Sequence, residues 1–232
     1  MPRPGRFAPA GVPLHVTQRG NFRSAVFRTD ADRGLYMRLL GRYAIEYGNR
    51  VAGYCLMPNH VHLLLIPGHA AGVSGMMQAL DATYARVSNE RLERKGHLWE
   101  ARFRSATMSQ RHYRAALAYV DLNPVRAGMV REATEYPWSS AAAHAGLCAY
   151  PGFLDREEFS RLYAPEEWRE TLRREVEAET IEELRRATRF GGVAGGTEFV
   201  KQMEIIYGRR LAPRPAGRPK NPANSRQTSV AR

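Results

Sequence analysis

The run Tyr54-Cys55-Leu56-Met57-Pro58-Asn59-His60-Val61-His62-Leu63-Leu64-Leu65-Ile66-Pro67 constrains this chain more than any other stretch. Between Pro58 and Pro67 it is apolar except at Asn59 and two histidines, so His60 to Ile66 reads as a short buried strand. Side chains alternate along a strand, which sends His60 and His62 to one face and Val61, Leu63 and Leu65 to the other. Two imidazoles roughly 7 Å apart on one sheet face can grip a divalent metal, given a convergent partner. The competing reading is a pair of half-exposed histidines near a strand end.

The flanking chain supplies a pattern for the sheet. Pro13 to Gln18 alternates as a first strand and is followed by a Gly20-Asn21 turn. Asp30 is a suitable N-cap for a first helix carrying Leu35, Leu39, Tyr43 and Tyr47, closed by Gly48-Asn49. Val51 to Met57 reads as a second strand, ahead of the histidine strand. A second helix runs from Val73 to about Leu92, with Gly96 ending it, and Arg102 to Met108 alternates as a fourth strand. A third helix begins near Ser109 and is stopped by Pro124. The order predicts an α+β fold of the ferredoxin-like kind, a four-stranded antiparallel sheet with both connecting helices on one face. The third helix is then expected to cover the open face and meet the histidines.

Charge narrows the partner. A net charge of +12 on 232 residues favours a polyanion, because Lys and Arg gain affinity by displacing counterions from phosphates. No apolar run reaches the roughly 20 residues that span a bilayer, and Met1 to Arg6 lacks a signal-peptide core, so the expected location is the cytoplasm, without a membrane partner. Cys55 and Cys148 have no metal-ligand spacing and read as reduced thiols.

On the third helix, Tyr119 and Asn123 are four apart and share a face. Asn123 offers an amide oxygen, acceptable beside two imidazoles as a ligand for Mg²⁺ or Mn²⁺. Tyr119 offers a phenol that can attack a phosphodiester when a metal neutralises the phosphate. Taken singly, each has an ordinary use, Tyr119 in a half-buried helix face and Asn123 at a helix end before proline.

These residues, with Gln18-Arg19-Gly20-Asn21, Met57-Pro58-Asn59-His60-Val61-His62, Leu98-Trp99-Glu100-Ala101-Arg102-Phe103 and Tyr119-Val120-Asp121-Leu122-Asn123-Pro124-Val125-Arg126-Ala127-Gly128, resemble the single-tyrosine HUH, IS200-like transposases. More narrowly, they resemble the REP-associated tyrosine transposases. The resemblance covers about residues 10 to 145. It implies His60 and His62 as metal ligands, Tyr119 as nucleophile and Asn123 as third ligand. It also implies cleavage of single-stranded DNA beside small hairpins through a 5′-phosphotyrosine intermediate, by a monomer or homodimer.

Around this set, His15, Thr17, Gln18, Arg19 and Asn21 occupy the end of the first strand and its turn, where polar side chains can reach DNA. Trp99 can stack on an unpaired base, or pack in the core, while Arg102, Arg104 and Arg126 contact phosphates. From about residue 151 the composition shifts to charged helical sequence, expected over Asp155 to Tyr163, Pro165 to Thr188 and Thr197 to Tyr207. Residues 1–150 are thus expected to form the nicking domain, 151–208 a helical extension and 209–232 a basic tail. In that tail Arg218 and Lys220 can lie in a minor groove. The leading expectation is a metal-dependent DNA nickase and transposase. Its rivals are a transposase-derived DNA-binding protein without turnover and a zinc-stabilised nucleic-acid module, the latter disfavoured by the lack of cysteine near the histidines.

Overall fold

The computed structural model describes residues 6–174 and 177–211. The chain runs through β1 (Leu14–Arg19), α1 (Asp30–Glu46), β2 (Asn49–Met57), β3 (His60–Pro67), α2 (Gly72–Arg91), β4 (Arg104–Met108) and α3 (Gln110–Asp121). There follow α4 (Asn123–Arg126), α5 (Ala141–His144), α6 (Arg156–Ser160), α7 (Pro165–Arg173), α8 (Ala178–Phe190), β5 (Val193–Ala194) and α9 (Thr197–Tyr207). Among the described residues no helix is long and apolar enough to cross a membrane.

The sheet order is β2-β3-β1-β4-β5. The first four strands pair antiparallel, as the strand-helix-strand-strand-helix-strand order predicts. The expectation of four antiparallel strands is corrected by β5, which lies parallel to β4 with Thr107 opposite Val193 and makes the sheet five-stranded and mixed. Two residues are too short a run to show alternation, and the surrounding glycines read as a linker. Gly191 ends α8 at φ 70°, a left-handed cap that turns the chain straight into β5.

Two cores form, one on each sheet face. Leu14, Val16, Val61, Leu63 and Leu65 point to the face covered by α1 and α2, where they meet Tyr36, Leu40, Met76, Leu80 and Tyr84. Leu64 and Ile66 point the other way, against Leu117 and Val120 of α3 and Trp168, Ile181 and Leu184 of the extension. The alternation of β3 therefore puts both histidines on the face of α3 and α8.

Local details differ in instructive ways. Thr29, not Asp30, caps α1, because a capping box with Asp32 satisfies two end amides at once. Helix α2 ends at Arg91, ahead of Gly96. Pro124 does not stop the helical path: α3 ends at Asp121, and Pro124 sits in the first turn of α4, where its missing N–H is not needed. The expected helix from Pro165 to Thr188 is two helices.

The extension is fixed to α3 by a buried carboxylate. Asp121 accepts from Ser140 Oγ at 2.6 Å, His144 Nδ1 at 2.8 Å and Trp168 Nε1 at 3.1 Å. The His144 ring stacks on Phe159 at 4.0 Å. Asp121→Ala would leave the buried His144 Nδ1–H and Trp168 Nε1–H without an acceptor, while Ser140 keeps the Tyr54 carbonyl at 3.2 Å, and we expect it to cost about 3–5 kcal/mol in urea denaturation. The exposed ion pair Arg86–Glu90 is the control: Glu90→Ala is expected to cost under about 1 kcal/mol.

Candidate active site and nucleic-acid cleft

A cleft of about 910 Å³ opens on the α3 and α8 side of the sheet. It is lined by His15, Thr17, Arg19, His60, His62, Tyr119, Arg185 and Thr188, with Asn21, Phe22, Arg23, Glu100, Arg102, Arg104 and Arg189 also contributing. Strand β1 lies between β3 and β4, so the cross-strand register sets Thr17 opposite His62 and Arg19 opposite His60. The His60 and His62 rings are 5.0 Å apart, and the Tyr119 ring stands edge-on to His62 at 5.7 Å.

Hydrogen bonds fix the protonation pattern of both imidazoles. The Thr188 hydroxyl donates its one proton to the Leu184 carbonyl at 2.8 Å, so toward His15 Nδ1, 2.9 Å away, it can only accept. His15 therefore carries its proton on Nδ1. Burial drives its pKa down to about 3, so the ring is neutral and Nε2 is an acceptor. His62 Nδ1, 2.9 Å from that Nε2, must be the donor. Burial, then the neighbouring His15 and His60, hold His62 well below the ordinary histidine range, so its Nε2 keeps a lone pair.

His60 reaches the same state by another route. Asn59 Nδ2 donates to the Arg23 carbonyl at 3.0 Å, which orients the amide and leaves Asn59 Oδ1 to accept from His60 Nδ1 at 2.6 Å. Burial, with Arg19 nearby, lowers His60 to about 4. Each ring is thus held by Nδ1 and presents an unprotonated Nε2 with no hydrogen-bond partner among the described residues. This is the arrangement that prepares histidine for a metal.

Other sequence expectations fall out differently. His15 does not reach out from the strand end: it is 2% exposed and supports His62. Gln18 is buried too, and its amide is used internally, donating to Asp81 Oδ2 at 2.8 Å and to the Ala101 carbonyl at 3.0 Å. Trp99 packs in the core with Nε1 on the Asp81 carbonyl at 3.0 Å, so its ring offers no exposed stacking face. His15, Thr17, Gln18, Arg19, Asn21, Arg102 and Arg104 all line the cleft. Arg126 lies over the Tyr119 ring at 5.5 Å, outside the cleft lining. Asn123 also stays outside: its Nδ2 donates to the Tyr119 carbonyl at 2.8 Å, closing the end of α3. Four residues of spacing placed it against Tyr119 as expected, with its amide nitrogen on the backbone carbonyl. Arg218 and Lys220 lie outside the described residues.

Sequence reasoning missed the contribution of α8. Arg185 Nε approaches the Tyr119 hydroxyl at 3.4 Å, and its guanidinium lies 5.3 Å from the ring centre. Thr188 anchors His15. The apolar spacing of Ile181, Leu184 and Ala187 gives α8 a buried face, but nothing in that spacing says which surface it docks on.

Thr188→Val keeps the side-chain shape and removes the acceptor for the buried His15 N–H. The expected cost is about 1–3 kcal/mol, read as a fall of about 2–4 °C in Tm for each kcal/mol, with Thr188→Ser close to wild type. Asp81 gives a pH signature. Burial pushes its carboxyl up to about 7, above its value in the unfolded chain. Its contribution to stability is therefore fully present below about pH 4 and lost as pH rises through about 7. Asp81→Asn is expected to flatten that fall when Tm is followed across the range.

Comparison with known proteins bears on the fold. No curated protein matches the sequence. A solved structure of a REP-associated tyrosine transposase bound to a REP hairpin is 18% identical with a TM-score of 0.54, over 68% of this chain and 93% of that one. A solved Deinococcus radiodurans R1 protein, described as a candidate transposase, is 22% identical with a TM-score of 0.37, over 55% of this chain and 98% of that one. The family model for IS200-like transposases matches residues 10–123, which hold the four antiparallel strands, both histidines and Tyr119. Over those residues, just under half of the chain, the sequence is similar to the IS200-like transposase family.

Proposed function

We propose that this protein nicks and rejoins single-stranded DNA beside hairpin repeats, with Tyr119 as nucleophile and a divalent metal at His60 and His62. The observation that carries the reading is the meeting of the Tyr119 ring with two metal-competent imidazoles in a cleft lined by Arg19, Arg23, Arg102, Arg104, Arg185 and Arg189. The hairpin substrate class follows the REP-associated transposase, which shares the fold and was solved with a REP hairpin.

The Tyr119 oxygen attacks phosphorus, forming a tyrosine ester with the 5′ phosphate as the bond to the 3′ oxygen breaks. The phenol loses one proton and the departing 3′ oxygen gains one. Reversal by a different 3′-hydroxyl joins a new strand end, because the ester conserves the energy of the linkage. Arg185 at the hydroxyl and Arg126 over the ring place positive charge where the attacking oxygen becomes anionic.

The donor set fits Mg²⁺ or Mn²⁺ with two protein nitrogens. No group of three His, Cys, Asp or Glu converges among the described residues, and the Asn123 amide nitrogen is bonded at the helix end. His60 and His62 would hold such an ion through their Nε2 atoms. The chemistry such an ion supplies is neutralisation of phosphate charge. Both histidines and the tyrosine come from one chain, so a single protomer holds the whole set.

Incubation with labelled single-stranded hairpins and Mn²⁺ or Mg²⁺ should give a slow covalent protein–DNA band on denaturing gels. Tyr119→Phe is expected to reduce it by more than about a thousandfold while binding is retained, and EDTA, His60→Ala or His62→Ala to abolish it. Binding without the band, across several hairpins and both metals, would assign the chain to the non-catalytic repeat-binding proteins instead.

A further inference from the structure

Phe22 is 90% exposed, on the tight turn Asn21–Arg23 that follows β1 at the rim of the cleft. Its φ is 52° and that of Arg23 is 57°, a left-handed conformation that bulky L-residues rarely adopt. The turn is nevertheless tightly held. A side chain at Gly20 would sit 2.3 Å from the Ser24 carbonyl oxygen, so the chain passes there only as glycine. Gly20 N–H donates to the Asn59 carbonyl and Asn21 N–H to the Leu98 carbonyl, each at 2.8 Å.

The Arg23 conformation has an internal reason, since its carbonyl anchors the Asn59 amide that orients His60. Phe22 has none. Its ring meets no aromatic ring or guanidinium among the described residues, and burial does not compensate the strained backbone. Strain held rigidly beside a functional site points to a use outside the fold. The surroundings select that use: Arg19, Arg23, Arg102 and Arg104 line the same cleft, so a partner reaching Phe22 there carries negative charge together with flat apolar surface. An unpaired nucleotide has both.

We propose that Phe22 is a preformed stacking platform for one unpaired nucleobase of the strand that enters the cleft, with the flanking arginines on its phosphates. The role rests on the single-stranded DNA reading above. It adds a base-holding position on the β1 turn, opposite in origin to the α8 side of the cleft. Stacking tolerates any base because each has a π face, so Phe22 contributes affinity and registration rather than base identity.

The test is binding in EDTA, which removes metal ligation and turnover, using hairpins with single-stranded flanks that carry 2-aminopurine at successive positions. Wild type should quench fluorescence most at one unpaired position. Phe22→Ala should abolish that quench and weaken binding by roughly tenfold, and Phe22→Trp should restore both. An abasic nucleotide at the same position should weaken wild type to a similar extent and leave Phe22→Ala unaffected. Phe22→Gly should raise Tm by relieving the left-handed strain while lowering affinity as alanine does, opposite movements that a purely structural ring would not give. Equal affinity and equal quenching in wild type and Phe22→Ala would overturn the role of Phe22 while leaving the functional reading intact. An equal loss on blunt hairpins without unpaired flanks would overturn it in favour of contact with the stem. If wild type binds no single-stranded or hairpin DNA, the functional reading falls and this one with it.

Discussion

The hydrogen-bond chain from the Leu184 carbonyl through Thr188 and His15 to His62 is the interaction on which the site depends. With the Thr188 proton on the Leu184 carbonyl, the directions of the remaining links follow. A hydroxyl with its proton already given to a carbonyl can only accept, and that fixes the proton on His15 and then on His62. The consequence reaches across the fold, since the chain begins on α8, crosses β1 and ends on β3. A helix remote in sequence thereby sets the state of a histidine in the central sheet, and the extension is part of the site as well as part of the core.

Electrostatics sharpens the point. Six arginines line the cleft with a single acidic residue, Glu100, among them, a field suited to phosphates. Protonated histidines would be repelled there, and both burial and the arginines drive His60 and His62 toward the neutral form. A cationic lining suited to phosphates thus also helps keep both imidazoles neutral. Arg19 serves both ends of this arrangement, lining the cleft opposite His60 and lowering its pKa.

Much of this was legible in the residues. The alternation of β3 correctly separated His60 and His62 from Val61 and Leu63, and the spacing of elements placed α3 over the histidine face. What could not be read were contacts made by residues far apart in the chain. His15 and Gln18 looked like polar ends of a first strand because periodicity marks a face, not the partner buried against it. Trp99 was ambiguous for the same reason, and its Nε1 found a carbonyl on α2. Asn123 shows the limit of spacing: four residues along a helix bring side chains to one face, yet an asparagine at a helix end competes for the last carbonyls, and here the carbonyl won. Strand β5 was hidden by brevity, since two residues between glycines carry no period.

The turn after β1 joins these threads. Its carbonyl at Arg23 orients Asn59 and through it His60, so the second imidazole is held from the loop side as the first is held from α8. The two supports share no residue. That separation explains why the strain at Phe22 and Arg23 can persist. The turn is braced by Gly20, Asn21 and Asn59 on the sheet side, and its cost falls on the global stability of the fold rather than on the geometry of His62. A fold that accepts left-handed backbone at two adjacent residues, one orienting His60 through Asn59 and the other exposed at the cleft, has tied the position of an imidazole to the rim of that cleft.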